Sequence, residues 1–245
     1  MHLNFHVSRG HNAALWPRRE SEDRYFLHFE GVAEDNKGRA IALVKGTVFL
    51  FGQMTDEQQS WFEICDAYTQ ETTDVYEAMC DGNDYQDFVD SPLSGYDLLY
   101  IESVKILPSH RGQGLGHPIV LSTIQTFGRG CAAVVIEPHP FRVSDERRRA
   151  REQNTELDID KAMRGWRRIR EPDADFDKAM GWDQLAKTEA QYKAGAKKLA
   201  KHWGKLGFVK VPKSKRFWYL DMSSFVVSET IEAEIEGQAD VDDED

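Results

Sequence analysis

The chain has 245 residues, with 31 basic against 42 acidic side chains for a formal net charge of −11, and 40% of its residues are hydrophobic. That length can bury a full core, either as one large domain or as a core domain with insertions, and insertions fit this chain better. Its three cysteines, Cys65, Cys80 and Cys131, stand at unrelated spacings, which argues against both a disulfide framework and a paired-cysteine metal site. No apolar run approaches the 18 residues of a membrane helix, and the opening MHLNFHVSRGH lacks a secretory core, so a soluble, cytoplasmic protein is expected.

Residues 3–7, 25–32 and 39–51 are rich in β-branched and aromatic side chains, and Asp35-Asn36-Lys37-Gly38 is a turn signal between the last two. They read as leading antiparallel strands. Over residues 52–96 the period changes: Trp61, Phe62, Ile64, Cys65 and Tyr68, then Val75, Tyr76 and Met79, recur at helical spacing and predict two amphipathic helices. A strand over 97–107 follows, stopped by Pro108, and then a glycine turn and a helix to about Phe127. The nearly all-apolar run 131–136 predicts a strand covered on both faces.

Beyond Pro138-His139-Pro140 lies a polar, helix-patterned segment to about Glu189. It contains a short echo, DIDKAMRGW and DFDKAMGW, best read as two helix starts with aspartate at the turn. Residues 193–205 predict a last core helix, and 208–211 with 217–220 a closing hairpin around residues 212–215. Charge is segregated along the chain. Residues 142–216 hold 21 basic and 12 acidic side chains, leaving 10 basic and 30 acidic elsewhere. The tail 226–245 is acidic and reads as a solvated, disordered extension.

The most specific stretch is Arg111-Gly112-Gln113-Gly114-Leu115-Gly116, between the strand over 97–107 and an apolar helix. Three glycines in five positions permit backbone angles that turn consecutive N–H groups toward one anion, and the helix start adds its own unpaired donors. The bland alternative is a chain reversal with a solvated arginine. Dinucleotide and mononucleotide phosphate loops fit worse, because neither glycine spacing is present and no phosphate lysine follows.

Written out, YIESVKILPSHRGQGLGHPIV resembles the core motif of the GNAT superfamily of acyl-coenzyme A dependent N-acyltransferases, a strand, then [Q/R]-x-x-G-x-[G/A], then a helix. Arg111, Gly114 and Gly116 fill the motif positions. KHWGKLGFVKV, from Lys201, resembles the family's last helix and following strand, usually LYEKLGF. Together with the strand between them, these matches cover about 60 residues, as their positions show. The resemblance implies an α/β (α+β) fold: a mixed, mostly antiparallel central sheet flanked by helices. It would occupy residues 1–225 as one domain, with helical insertions at about 52–96 and 142–190.

The resemblance also implies a chemistry, transfer of an acetyl group from acetyl-CoA to a primary amine by direct attack in a ternary complex, with no metal. Arg111, Gly112, Gln113, Gly114, Leu115 and Gly116 would hold the coenzyme pyrophosphate. Its pantetheine arm would pair with the strand edge near Val104 and Ile106, made available by a bulge. Glu102, nine residues before Arg111, occupies the place of a glutamate that takes the amine proton; the alternative is a cross-strand salt bridge, with Lys105 for instance.

The chain departs from the family where the proton donor is expected. Trp203 stands at the tyrosine position and Ala196 at that of a common asparagine. Indole has no titratable proton, which leaves water, His202, Tyr219 or, as a second choice, His139. Glu137 and His139 follow the apolar strand, where EPHP reads equally as a rigid exit turn.

Residues 52–97 carry twelve acidic side chains and no basic one, interleaved with aromatics. Lining a cleft, they would favour a cationic acceptor such as a polyamine, an aminoglycoside or a lysine side chain. Packed as a helix pair, they say nothing of substrate. The alternative to an enzyme is a catalytically impaired interaction protein whose acidic surface engages a basic partner. Nucleic acid, held by the basic insertion, is a lesser possibility because acids intersperse the arginines.

Overall fold

The computed structural model describes residues 1–9, 23–89, 95–138, 189–223 and 225. Predictions for the insertion 142–190 up to residue 188, its internal echo, His139 and the acidic tail 226–245 lie outside the described residues, and the last two residues of that insertion belong to the final helix. No helix among the described residues is long and apolar enough to cross a membrane.

A seven-stranded, mostly antiparallel sheet organises the chain. Its strands are β1 (His2–Arg9), β2 (Phe26–Glu34), β3 (Ala40–Phe49), β6 (Asp97–Ile106), β7 (Cys131–Ile136), β8 (Val209–Lys210) and β9 (Trp218–Asp221), ordered β1-β2-β3-β6-β7-β9-β8. Among the described residues only β6 and β7 run parallel, joined through helix α4 (Gly116–Phe127). The mixed α/β class expected from the sequence is the class observed.

The aromatic segment after β3 contains the expected helix pair and adds to it. β3 stops at Phe49, and Phe51 opens an additional short helix, α1 (Phe51–Asp56), before α2 (Trp61–Tyr68) and α3 (Gln70–Met79). Local caps explain the breaks. Ser60 accepts from the Glu63 N–H at the start of α2, and Thr69, extended between α2 and α3, makes a reciprocal capping box with Thr72. A small hairpin, β4 (Cys80–Asp81) with β5 (Asp84–Tyr85), turns at Gly82 in the left-handed region.

Strand alternation sorts the apolar side chains into two cores. Leu98 and Tyr100 of β6 join Trp61, Tyr68, Val75 and Met79 on the α1–α3 face. Leu99 and Ile101 join Ile119, Val120, Trp203 and Leu206 on the other face, where α4 and the last helix α5 (Glu189–Gly204) lie. All six residues of β7 are buried, as an apolar run covered on both faces requires.

Of the seven aromatics between residues 61 and 96, Trp61, Tyr68 and Tyr76 are buried in the first core and Tyr85 and Phe88 pack against it. Phe62 and Tyr96 are exposed. The aromatic content therefore goes mainly to packing, not to a cation-binding wall. Cys65, Cys80 and Cys131 are all free and buried, and burial pushes each thiol well above its ordinary pKa.

Candidate functional site

The site begins with a break in the sheet. β6 pairs with β7 only as far as Ile101 opposite Ile136, so its second half, Glu102 to Ile106, has no strand on that side among the described residues. On its other side, β6 pairs with β3 with a bulge: Lys45 faces Ser103 and Gly46 faces Ile101, leaving Glu102 as the extra residue. The bulge resets the alternation. Val104, opposite Val44, packs in the second core, so Glu102 and Ser103 both fall on the face of Lys45 and Thr47.

The bulge also settles which backbone groups remain available. The Leu107 N–H donates to the Ile41 carbonyl on β3. Alternation then directs the N–H and C=O of Val104 and Ile106 to the open edge. Consistent with this, the Ile106 carbonyl accepts from Arg111 Nε at 2.9 Å. Arg111 thus braces the strand end against the turn that follows.

That turn has the predicted conformational need for glycine. Gly112 and Gly114 both adopt positive φ, 81° and 78°. Among the described residues no protein acceptor meets the N–H of any residue from Gly112 to Gly116, whereas the next donor, on His117, bonds the Gly114 carbonyl. The result is a run of donors at the start of a twelve-residue helix, the arrangement that binds anions through backbone dipoles. Gly116 is required for a different reason. A β-carbon there would lie 2.8 Å from His202 Nε2 and 3.3 Å from the Trp203 ring, so α5 packs directly on the helix start.

Glu102 is partly buried and accepts a 2.7 Å hydrogen bond from the Thr47 hydroxyl. Burial raises its pKa above the ordinary glutamate value, with Thr47 opposing the shift and nearby Glu71 adding to it. Lys45, which faces Ser103 beside Glu102, pairs with Glu30. Thr47 also bonds His28 Nδ1 at 2.8 Å, and His28 Nε2 lies 2.6 Å from the Tyr68 hydroxyl.

A second polar group closes this face. The Tyr100 hydroxyl donates to Glu71 at 2.8 Å. Arg216 reaches Asp74 and Glu137, each at 2.6 Å, and Glu71 at 3.5 Å. One guanidinium thereby joins α3, the exit of β7 and the β8–β9 connection. Arg216→Ala is expected to cost about 2 kcal/mol of stability by chemical denaturation, less than the ~3–5 kcal/mol of a fully buried pair because the guanidinium is 36% exposed. An unchanged denaturation midpoint would show the cluster to be a surface decoration.

Of the proton-donor candidates, His202 belongs to the anion turn. Its ring stacks on His117 at 3.9 Å between centroids, and its carbonyl meets His117 Nε2 at 2.9 Å. Burial first, then His117 and Lys205, hold its pKa down to about 4, so it is a neutral imidazole near neutral pH. Among the described contacts none joins His202 to Glu102. The Tyr219 hydroxyl donates to the Phe88 carbonyl at 3.0 Å on the first core, and Trp203 is buried in the second. His139 lies outside the described residues.

Sequence reading missed His28, Thr47, Tyr68 and the Arg216 cluster. A signal for the first two was present. His28 and Glu30 alternate on β2, Lys45 and Thr47 alternate on β3, and they face each other as direct cross-strand pairs. Polar residues at i and i+2 on adjacent strands mark a wet patch inside an otherwise apolar sheet. No family model, curated protein or solved structure matches the chain. No group of three or more His, Cys, Asp or Glu able to hold a metal occurs among the described residues.

Proposed function

We propose that the chain is an N-acetyltransferase of the GNAT type, moving an acetyl group from acetyl-CoA to a primary amine, with a cationic small molecule or a lysine side chain as acceptor. The observation that carries this reading is the alignment of three features along one strand: a bulged glutamate, an unpaired edge, and a run of free N–H donors. They match the successive parts of an acyl-coenzyme A: reacting thioester, amide-bearing arm and diphosphate. Gly112 to Gly116 with Arg111 would hold the diphosphate, and the outward groups of Val104 and the outward N–H of Ile106 would pair the arm as an added strand.

The chemistry follows from charges. The amine nitrogen attacks the thioester carbonyl, its proton passes to the Glu102 carboxylate directly or through water, the C–S bond breaks, and the departing thiolate takes a proton from water. Negative charge on the carbonyl oxygen during attack is met by an edge N–H such as that of Val104. Glu71, Asp74 and Glu137 around Arg216, with Glu102 and Glu30 around Lys45, leave the face net negative, which favours a cationic acceptor.

Calorimetry with acetyl-CoA, followed by thiol release across amine classes, tests the reading, and absence of binding overturns it. In the same experiment Gly114→Ala forces a β-carbon into the left-handed region at a cost of about 1 kcal/mol or more. A roughly tenfold loss of acetyl-CoA affinity is expected from that distortion of the donor run. Equal affinity would remove the turn from the binding site.

A second reading, a coenzyme-binding interaction protein without turnover, is favoured by one observation. The side chain at the donor position is the buried indole of Trp203. Coenzyme binding with no thiol release from any amine would establish it.

A further inference from the structure

Resting on Glu102 as the base of that proposed reaction, we infer that His28, backed by Tyr68, is a positioning residue that keeps the Glu102 carboxylate ionised and aimed through the Thr47 hydroxyl. The argument is one of counting protons. Four side chains form an unbroken chain: Tyr68 hydroxyl to His28 Nε2 at 2.6 Å, His28 Nδ1 to Thr47 Oγ1 at 2.8 Å, and Thr47 Oγ1 to Glu102 Oε1 at 2.7 Å.

Thr47 has a single hydroxyl proton, and an ionised carboxylate has none to offer. The Thr47 proton therefore goes to Glu102. Its oxygen must then accept, which fixes His28 as the tautomer with the proton on Nδ1. That leaves Nε2 as an acceptor, filled by the Tyr68 hydroxyl proton. Every donor in the chain points toward Glu102, and hydrogen bonds aligned this way polarise and strengthen one another.

The geometry holds the chain in this order. His28 and Thr47 are direct cross-strand partners, so their side chains leave the sheet on the same face. The His28 ring lies nearly parallel to Tyr68, at an interplanar angle of 16°, and Tyr68 in turn stacks on Phe26 at 4.2 Å. Tyr68 is buried among the aromatics of the first core, so its hydroxyl cannot swing away. The other charges facing Glu102 are Lys45, which favours ionisation, and Glu71 and Glu30, which oppose it. The chain acts on the same side as Lys45, through the Thr47 hydrogen bond.

The test reads Glu102 itself. In the full chain labelled at glutamate side-chain carboxyl carbons, with the Glu102 resonance assigned by its loss in Glu102→Gln, the protonation midpoint is followed by NMR. His28→Phe and Thr47→Val are expected to raise that midpoint. Tyr68→Phe, which keeps the ring and only removes the hydroxyl, should raise it less, and His28→Asn, whose amide can still donate to Thr47, should restore much of the wild-type value. The acidic limb of the rate profile moves in the same order, with kcat/KM near neutral pH falling about tenfold for His28→Phe, on the order of one charge-assisted hydrogen bond.

A midpoint unchanged in both His28→Phe and Tyr68→Phe overturns the inference. So does a His28→Asn variant no better than His28→Phe. Should His28→Phe fail to fold, the Tyr68→Phe and His28→Asn pair decides alone. Failure of acetyl-CoA to bind would sink the acyltransferase reading while leaving this titration fully legible.

Discussion

Glu102→Gln is expected to lower turnover by about 10²- to 10⁴-fold while leaving acetyl-CoA affinity unchanged, because the general base is removed and the anion turn is untouched. Glutamine keeps an oxygen to accept from Thr47, so the local hydrogen bond survives. Burial raises the Glu102 pKa, so the loss of wild-type activity on acidification begins above the ordinary carboxylate range. The same shift makes a thermodynamic prediction of opposite sign. A carboxyl whose pKa is higher in the folded state disfavours folding once it ionises. That penalty is absent below the unfolded value, grows as pH rises through the folded value, and persists above it. Glu102→Gln should therefore melt higher than wild type at neutral pH, with the gap closing toward acid. Unimpaired turnover would end the assignment of the base; a variant less stable at neutral pH would contradict the buried-charge account.

Gly46→Ala should be the more damaging substitution for the fold. A β-carbon at Gly46 would sit 2.5 Å from the Tyr100 carbonyl oxygen and 2.3 Å from the Phe29 ring. The ring can yield, but the carbonyl belongs to the strand backbone. Gly46 is also the residue at which the β3–β6 register shifts to accommodate Glu102. Overpacking there should cost about 2–3 kcal/mol and separate the strands at the bulge, so any folded fraction should lose turnover as well. Denaturation midpoints alongside kcat/KM check this. A stable variant with normal rates would show that bulge geometry does not position Glu102.

The parts of this architecture legible in the sequence are those set by local chemistry. Strand β7 follows from an unbroken apolar run, the turn after β6 from its glycines, and the closing hairpin from a turn signal between two apolar segments. Pairing partners carry no such mark. Nothing local says that Lys45 faces Ser103 while Gly46 faces Ile101, and that one-residue offset decides which way Glu102 points.

The two helices expected before β6 are α2 and α3; the short helix α1 and the β4–β5 hairpin on either side of them have no comparable periodic signal. The break between α2 and α3 falls between the two apolar runs, where Thr69 and Thr72 form the capping box. The aromatics there answered to the core first, since burying large rings contributes more than lining a wet cleft. Arg216, distant in sequence from Glu71 and Asp74, becomes their partner only after the sheet has brought β9 beside β7.

The three buried thiols give the chain a built-in silence toward thiol-specific dyes. With each pKa pushed up by burial, the reactive thiolate is scarce and shielded in the native state. Colour developing in an assay that reports freed coenzyme would come from product and not from the protein. The same dye added without substrate would become a clock for opening of the fold, each chain contributing up to three equivalents as Cys65, Cys80 and Cys131 come into reach of water.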